Sequence, residues 1–311
     1  MSAGSGTFAG SGASGASRAS QAFGARLADA MDERGRLCVG IDPHPPLLRA
    51  WGLGDDVAGL REFSLRVVDA LAGIVAVLKP QAAFFERHGS GGVAVLEETI
   101  AAAREAGVLT IVDAKRGDIG STMQGYADAF VREGSPLAGD AVTLSPYLGF
   151  DSLTPAIDTA LASGRGVFVL CLTSNPEGAA VQLARSDDDG ATHGVTVAAR
   201  IANAAGEANA LELAAGGNPG ADQHALGSVG LVVGATVGDA ARRGGVDLAG
   251  VRGPLLMPGL GAQGGSAESV RAVVGTAWGQ VLASSSREVL GAGPDADALR
   301  AAARAAIDAL T

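Results

Sequence analysis

The feature that most constrains this chain is a rhythm. Eight short apolar runs, most of them rich in β-branched residues, recur with longer helix-patterned segments between them. The runs are 37–42 (LCVGID), 76–82 (AVLKPQA), 109–115 (LTIVDAK), 141–146 (AVTLSP), 166–173 (GVFVLCLT), 230–236 (GLVVGAT), 255–260 (LLMPGL) and 280–285 (QVLASS). A strand with one wet face alternates apolar and polar residues. These runs are almost continuously apolar, which predicts burial on both faces, as in a parallel sheet. Parallel neighbours need crossover helices, and the segments 60–73, 94–107 and 268–279 carry apolar residues at helical spacing. Gly107 stands where a helix C-terminus is expected.

Eight strands alternating with helices predict a (β/α)8 TIM barrel. The rival is a doubly wound open sheet, whose glycine-rich fingerprint after the first strand is replaced here by GIDPHPP at 40–46. One connection breaks the rhythm. Residues 175–228, after the fifth strand, hold a polar run, a helical stretch at 195–210 and a Gly/Asn/Pro loop, and read as an elaborated strand-to-helix connection. Residues 1–20 are rich in Gly, Ser and Ala and lack an apolar core, so they read as a disordered tail and neither a signal peptide nor an anchor. That leaves 21–311 as one barrel domain, ending in an Ala-rich helical stretch at 298–310. No apolar run reaches the roughly 18–20 residues that span a bilayer, so a soluble cytoplasmic protein is expected.

Charge and cysteine narrow the chemistry. Twenty-three Lys+Arg against 33 Asp+Glu give a net charge of −10, the wrong sign for binding nucleic acid through counterion release. Two cysteines, Cys38 and Cys171, each within an apolar run, exclude a disulfide framework and a cysteine zinc site. The four histidines, His44, His88, His193 and His224, show no metal-ligand spacing, so no metal is expected. His44 alone falls near a strand end.

Barrel enzymes work at the C-terminal ends of their strands, and the polar residues there are few. They are Asp42, Lys79, Asp113 and Lys115, with Asp118 just beyond, then Thr173, Ser174, Gln263, Ser286 and Arg287. Side chains alternate along a strand, so Asp113 and Lys115 point the same way, inward if Ile111 does. With Lys79 from the neighbouring strand they make an array of alternating charge. Such an array keeps lysines as ammonium and aspartates as carboxylate, and an enclosed ammonium can stabilise a carbanion and then protonate it. Structural ion pairing alone explains the charge spacing equally well. The Gly-rich loop at 259–265 and Arg287 lie after strands seven and eight, where barrels often hold phosphate.

These segments, in this order, resemble one family. GIDPH (40–44), LKPQAAFFE (78–86), VDAKRGDIGST (112–122), SPYLGFDSL (145–153), LTSNPEG (172–178), PGLGAQGG (258–265) and SSSRE (284–288) are similar to the orotidine 5′-phosphate decarboxylases, in their longer bacterial subgroup. The match runs from about residue 37 to 290. The resemblance implies conversion of orotidine 5′-phosphate to UMP and CO2, the last step of de novo pyrimidine synthesis, without cofactor or metal. It implies a catalytic tetrad of Lys79, Asp113, Lys115 and Asp118, with Lys115 stabilising and protonating the C6 carbanion. Asp42 would hold ribose, Ser174 the pyrimidine amide, Pro258 a loop over the substrate, and Gln263 with Arg287 the phosphate. Asp118 and Thr122 would reach the partner's site in a homodimer. The serine run before Arg287 and the Pro80-Gln81 pair differ from the shorter subgroup. The enzyme alternative is a related sugar-phosphate barrel that uses magnesium. The non-enzyme alternative is a nucleotide-phosphate sensor.

Overall fold

A computed structural model describes residues 21–187, 190, 193–216, 225–261 and 264–311. The expected N-terminal tail, His224 and Gln263 lie outside them. The eight strands close into one barrel in sequence order, and every neighbouring pair is parallel. They are β1 (Leu37–Ile41), β2 (Val77–Pro80), β3 (Leu109–Arg116), β4 (Ala141–Leu144), β5 (Gly166–Leu172), β6 (Val229–Val233), β7 (Leu255–Pro258) and β8 (Val281–Ser285). All eight expected runs are therefore strands, and the open-sheet rival is set aside.

The two-residue period of a strand separates two cores. Outward residues such as Val39, Leu78, Val112, Val142, Val169 and Leu231 pack against the helices. Inward residues form a second cluster, with Cys38, Val77, Ile111, Ala141, Phe168, Val232, Leu256 and Leu282 filling the lower barrel. Two residues further along the strands the inward set changes character, to Lys79, Asp113, Thr143, Leu170, Pro258 and Ser284, and these line a cavity. Both free cysteines are buried. Burial pushes the thiol pKa of each up to about 12, as expected of structural, unreactive thiols.

Two elements differ from the sequence expectation, and the connection after β5 carries the helical stretch expected of it. The helix Phe23–Arg34 was not foreseen. It plugs the bottom of the barrel, where Phe23 meets Phe168 edge to face with centroids 6.0 Å apart. A Cβ at Gly166 would stand 2.2 Å from the Phe23 ring, so only glycine lets the helix seat there. After β6 the helix is a single turn, Ala240–Arg243. The connection after β5 carries a short helix, Ala179–Gln182, and a long one, Val197–Ala215. Fully buried Asn209 stitches the long helix to the barrel. Its amide N–H groups donate to the carbonyls of Val229 and Val251 at 2.8 Å each, and its carbonyl accepts from Val229 N–H at 2.9 Å.

Candidate active site

A cavity of about 420 Å³ opens at the C-terminal ends of the strands, within the range of small-ligand sites. Asp113, on β3, is its electrostatic centre. Lys79 Nζ, from β2, donates to Asp113 Oδ2 at 2.7 Å, and Lys115 Nζ donates to Oδ1 at 2.6 Å. Thr143, on β4, donates its hydroxyl to the same Oδ1 at 2.9 Å. Lys79, Asp113 and Thr143 are buried, whereas the Lys115 side chain is 44% exposed and faces the open cavity.

The charges hold one another ionised. Burial alone would raise the Asp113 pKa, but Lys79 and then Lys115 outweigh it and hold the carboxyl far below its usual range. Burial would likewise lower the Lys79 pKa, but Asp113 and then Asp42 outweigh it and hold the ammonium above the usual lysine value. The cavity is therefore built around two ammonium groups on one carboxylate. Above an apolar floor of Leu170, Val232 and Leu256, the buried Lys79–Asp113 pair acts at lower effective dielectric than water, while Lys115 reaches into the open cavity.

Lys115 does not reach this position by simple strand alternation. The β3–β4 register pairs Val112 with Val142 and then skips to Arg116 with Leu144. The extra residues bulge, and Lys115 takes a left-handed backbone with φ 48°. That conformation costs a non-glycine residue about 1–2 kcal/mol. A straight strand would carry residue 115 nearly 7 Å along from residue 113. The bulge instead leaves Nζ within hydrogen-bond distance of Asp113. The Lys115 backbone N–H donates to Thr143 Oγ1 at 2.9 Å.

Other expected residues fall into three groups. Asp42, Pro258 and Arg287 line the same cavity. Asp42 Oδ1 is buried with no hydrogen-bond partner, an acceptor suited to a ligand hydroxyl. Arg287 is exposed at the rim, with no carboxylate in ion-pair range among the described residues. Ser174 lies just outside the lining. It is exposed and accepts a hydrogen bond from Thr236 Oγ1 at 2.9 Å, while Thr173 lines the cavity. Asp118 and Thr122 are not among the lining residues. Asp118 Oδ1 accepts its neighbour Ile119's N–H at 2.8 Å, and Thr122 borders an apolar groove with Tyr126 and Phe130. Three of the four expected tetrad residues thus meet within one chain, and the fourth stands apart.

Sequence reasoning missed Thr143, Gln81 and Phe84, which also line the cavity. For Thr143 the available signal was a lone hydroxyl at the inward position of an otherwise apolar strand. His44 lines the cavity too. Its Nδ1 accepts the Leu47 N–H at 3.3 Å. Among the described residues no cluster of His, Cys, Asp or Glu could hold a metal ion. No described helix is long and apolar enough to cross a membrane.

Comparison with known proteins gives the same frame. A family model described as "Orotidine 5'-phosphate decarboxylase / HUMPS family" matches residues 35–302. An orotidine 5′-phosphate decarboxylase of Salinispora arenicola is 58% identical over 283 residues, covering 91% of this chain and 95% of that one. The Streptomyces coelicolor protein of the same name is 55% identical over 281 residues, 90% of this chain and 94% of that one. A Streptomyces avermitilis crystal structure superposes with TM-score 0.84 at 54% identity, over 93% of this chain and 95% of that one. The Leishmania donovani OMP decarboxylase structure gives TM-score 0.67 at 30% identity, over 93% and 98%. With its barrel, its Asp113–Lys115–Asp118 motif and these relatives together, the chain belongs to the orotidine 5′-phosphate decarboxylase / HUMPS family.

Proposed function

We propose that this protein decarboxylates orotidine 5′-phosphate to UMP and CO2, with Lys115 as the group that meets the charge left on carbon. The observation that carries the reading is the pairing of Lys79 and Lys115 to opposite oxygens of one buried carboxylate. When the C6–carboxylate bond breaks, CO2 leaves and the electron pair stays on C6 of the pyrimidine. The Lys115 ammonium, fixed beside that carbon, stabilises the pair and then gives it a proton. The neutral amine regains its proton from solvent. Because the ammonium is already oriented, little reorganisation is needed as charge develops. Asp113 lies beside the substrate carboxylate and holds both ammonium groups in place. Lys79 and the unpartnered Asp42 oxygen suit the ribose hydroxyls, and Pro258 lies at the cavity edge.

Arg287, exposed at the rim and without a carboxylate in ion-pair range among the described residues, would pair with the 5′-phosphate through its guanidinium fork, and Gln263 is proposed to join it from the glycine-rich loop. Phosphate binding, remote from the reacting carbon, supplies alignment. Ser174 would approach the pyrimidine amide from the rim. We further infer a homodimer in which Asp118 and Thr122 serve the partner's cavity. Asp118 contacts none of the lysines of its own chain, and Ile119, Tyr147 and Leu148 nearby are 61%, 80% and 54% exposed. The test of the reaction is loss of orotidine 5′-phosphate absorbance with stoichiometric UMP, at a rate unchanged by EDTA. No turnover, or turnover of a sugar phosphate that stops on chelation, would instead favour the magnesium-dependent branch.

A further inference from the structure

Thr143 satisfies both sides of its hydroxyl inside the charge array. The single proton goes to Asp113 Oδ1 at 2.9 Å, and a lone pair accepts the Lys115 backbone N–H at 2.9 Å. Lys115 Nζ donates to that same Oδ1 at 2.6 Å. Backbone, hydroxyl, carboxylate and ammonium thus form a closed ring that starts and ends on one residue. Its location matters. Between Val112 and Arg116 the β3–β4 register slips, so the Lys115 N–H lies where regular ladder pairing is interrupted. It is also where φ is 48°, a conformation that persists only when its surroundings hold it. Thr143 is 1% exposed, and β4 is in register with β5 there, Thr143 opposite Phe168, so the hydroxyl is carried on a rigid element.

We propose that Thr143 is a positioning residue: its hydroxyl locks the left-handed backbone of Lys115 and thereby sets where the Lys115 ammonium stands relative to Asp113. For catalysis this rests on the decarboxylase reading above, but the geometric claim stands or falls without it. A hydroxyl is the side-chain group that fits the ring, since the same atom must both donate and accept. Valine keeps the shape and does neither.

The experiment compares Thr143→Val and Thr143→Ser with wild type, by crystal structure and by kinetics. Thr143→Val is expected to release residue 115 from positive φ and to separate Nζ from Asp113 Oδ1. Its kcat should fall at least tenfold, with KM and UMP affinity within about twofold. Thr143→Ser is expected to restore the φ, the contact and most of kcat. An unchanged φ and Nζ–Oδ1 contact in Thr143→Val would overturn the proposal, whatever the enzyme turns over. So would equal kinetic loss in the valine and serine variants, because serine keeps the hydroxyl and would then show that the hydroxyl is not what sets the rate. If wild type fails to turn over orotidine 5′-phosphate, the reaction reading fails, and the two variant structures still decide the role of Thr143.

Discussion

At the scale of single residues, the site is a problem in keeping charge where water is scarce. Asp113 stays a carboxylate because two ammonium groups outweigh its burial, and Lys79 stays charged because Asp113 and Asp42 outweigh its own. The linkage to stability has two signs. Asp113 is held below the usual carboxyl pKa, so its contribution is complete above about pH 4 and fades as pH falls towards the folded value. Lys79 is held above the usual amine value, so its contribution is complete below about pH 10 and fades as pH rises through the folded value. Replacing Lys79 by Met should lower unfolding free energy by about 3 kcal/mol at pH 7, since removing one partner leaves burial of the other less compensated. Denaturant titrations should show that deficit shrinking at pH 3, where wild type has begun to lose the same contribution. A deficit that stays constant or grows would refute the electrostatic account. Lys79 and Asp113 were legible in the sequence because strand alternation and strand ends predict who faces the mouth; Lys115 was found at the same strand end, though alternation is not what brings it there. The bulge at Lys115 was not legible, because a register slip depends on β4, thirty residues away, and Thr143 carries no motif of its own.

At the scale of elements, continuous apolarity made every strand readable, because both faces of a barrel strand are buried. The closing helix Phe23–Arg34 was harder to see. Its apolar residues, among them Phe23, Leu27 and Met31, are interspersed with Arg26, Asp29, Asp32, Glu33 and Arg34, and its reason for folding is the hole beneath Phe168 that Phe23 fills. The long connection after β5 was recognised as an insertion, but its anchoring was not, since a buried Asn reads as polar surface until its partners are known. Asn209 serves three backbone groups at once. Asn209→Leu should therefore destabilise the fold by about 3 kcal/mol, because the Val229 N–H and the carbonyls of Val229 and Val251 lose this buried partner and leucine offers no substitute. Thermal or denaturant unfolding measures this, and decarboxylation by the folded fraction should stay within about twofold of wild type. A stable variant, or one with selective loss of turnover, would contradict this structural role.

At the scale of the whole molecule, the barrel concentrates its polar residues at one end and fills the other with Phe23, Phe168 and their neighbours. Within one chain the cavity at that end is not lined by Asp118. If the assembly is a dimer with shared sites, a mixture of Asp118→Ala and Lys115→Ala proteins should regain activity, since one site of each mixed dimer then receives both residues intact. Random pairing of equal amounts should give roughly a quarter of the wild-type activity. Mixed dimers shown to form without any recovery would place Asp118 outside the partner's site. The central claim is that the Lys115 ammonium stabilises the carbanion, and its most direct test is the decarboxylation rate of Lys115→Ala at saturating orotidine 5′-phosphate. A fall of at least about a thousandfold is expected, the scale of losing a preorganised charge and proton donor together, with UMP still bound. A rate near wild type in that variant would contradict it.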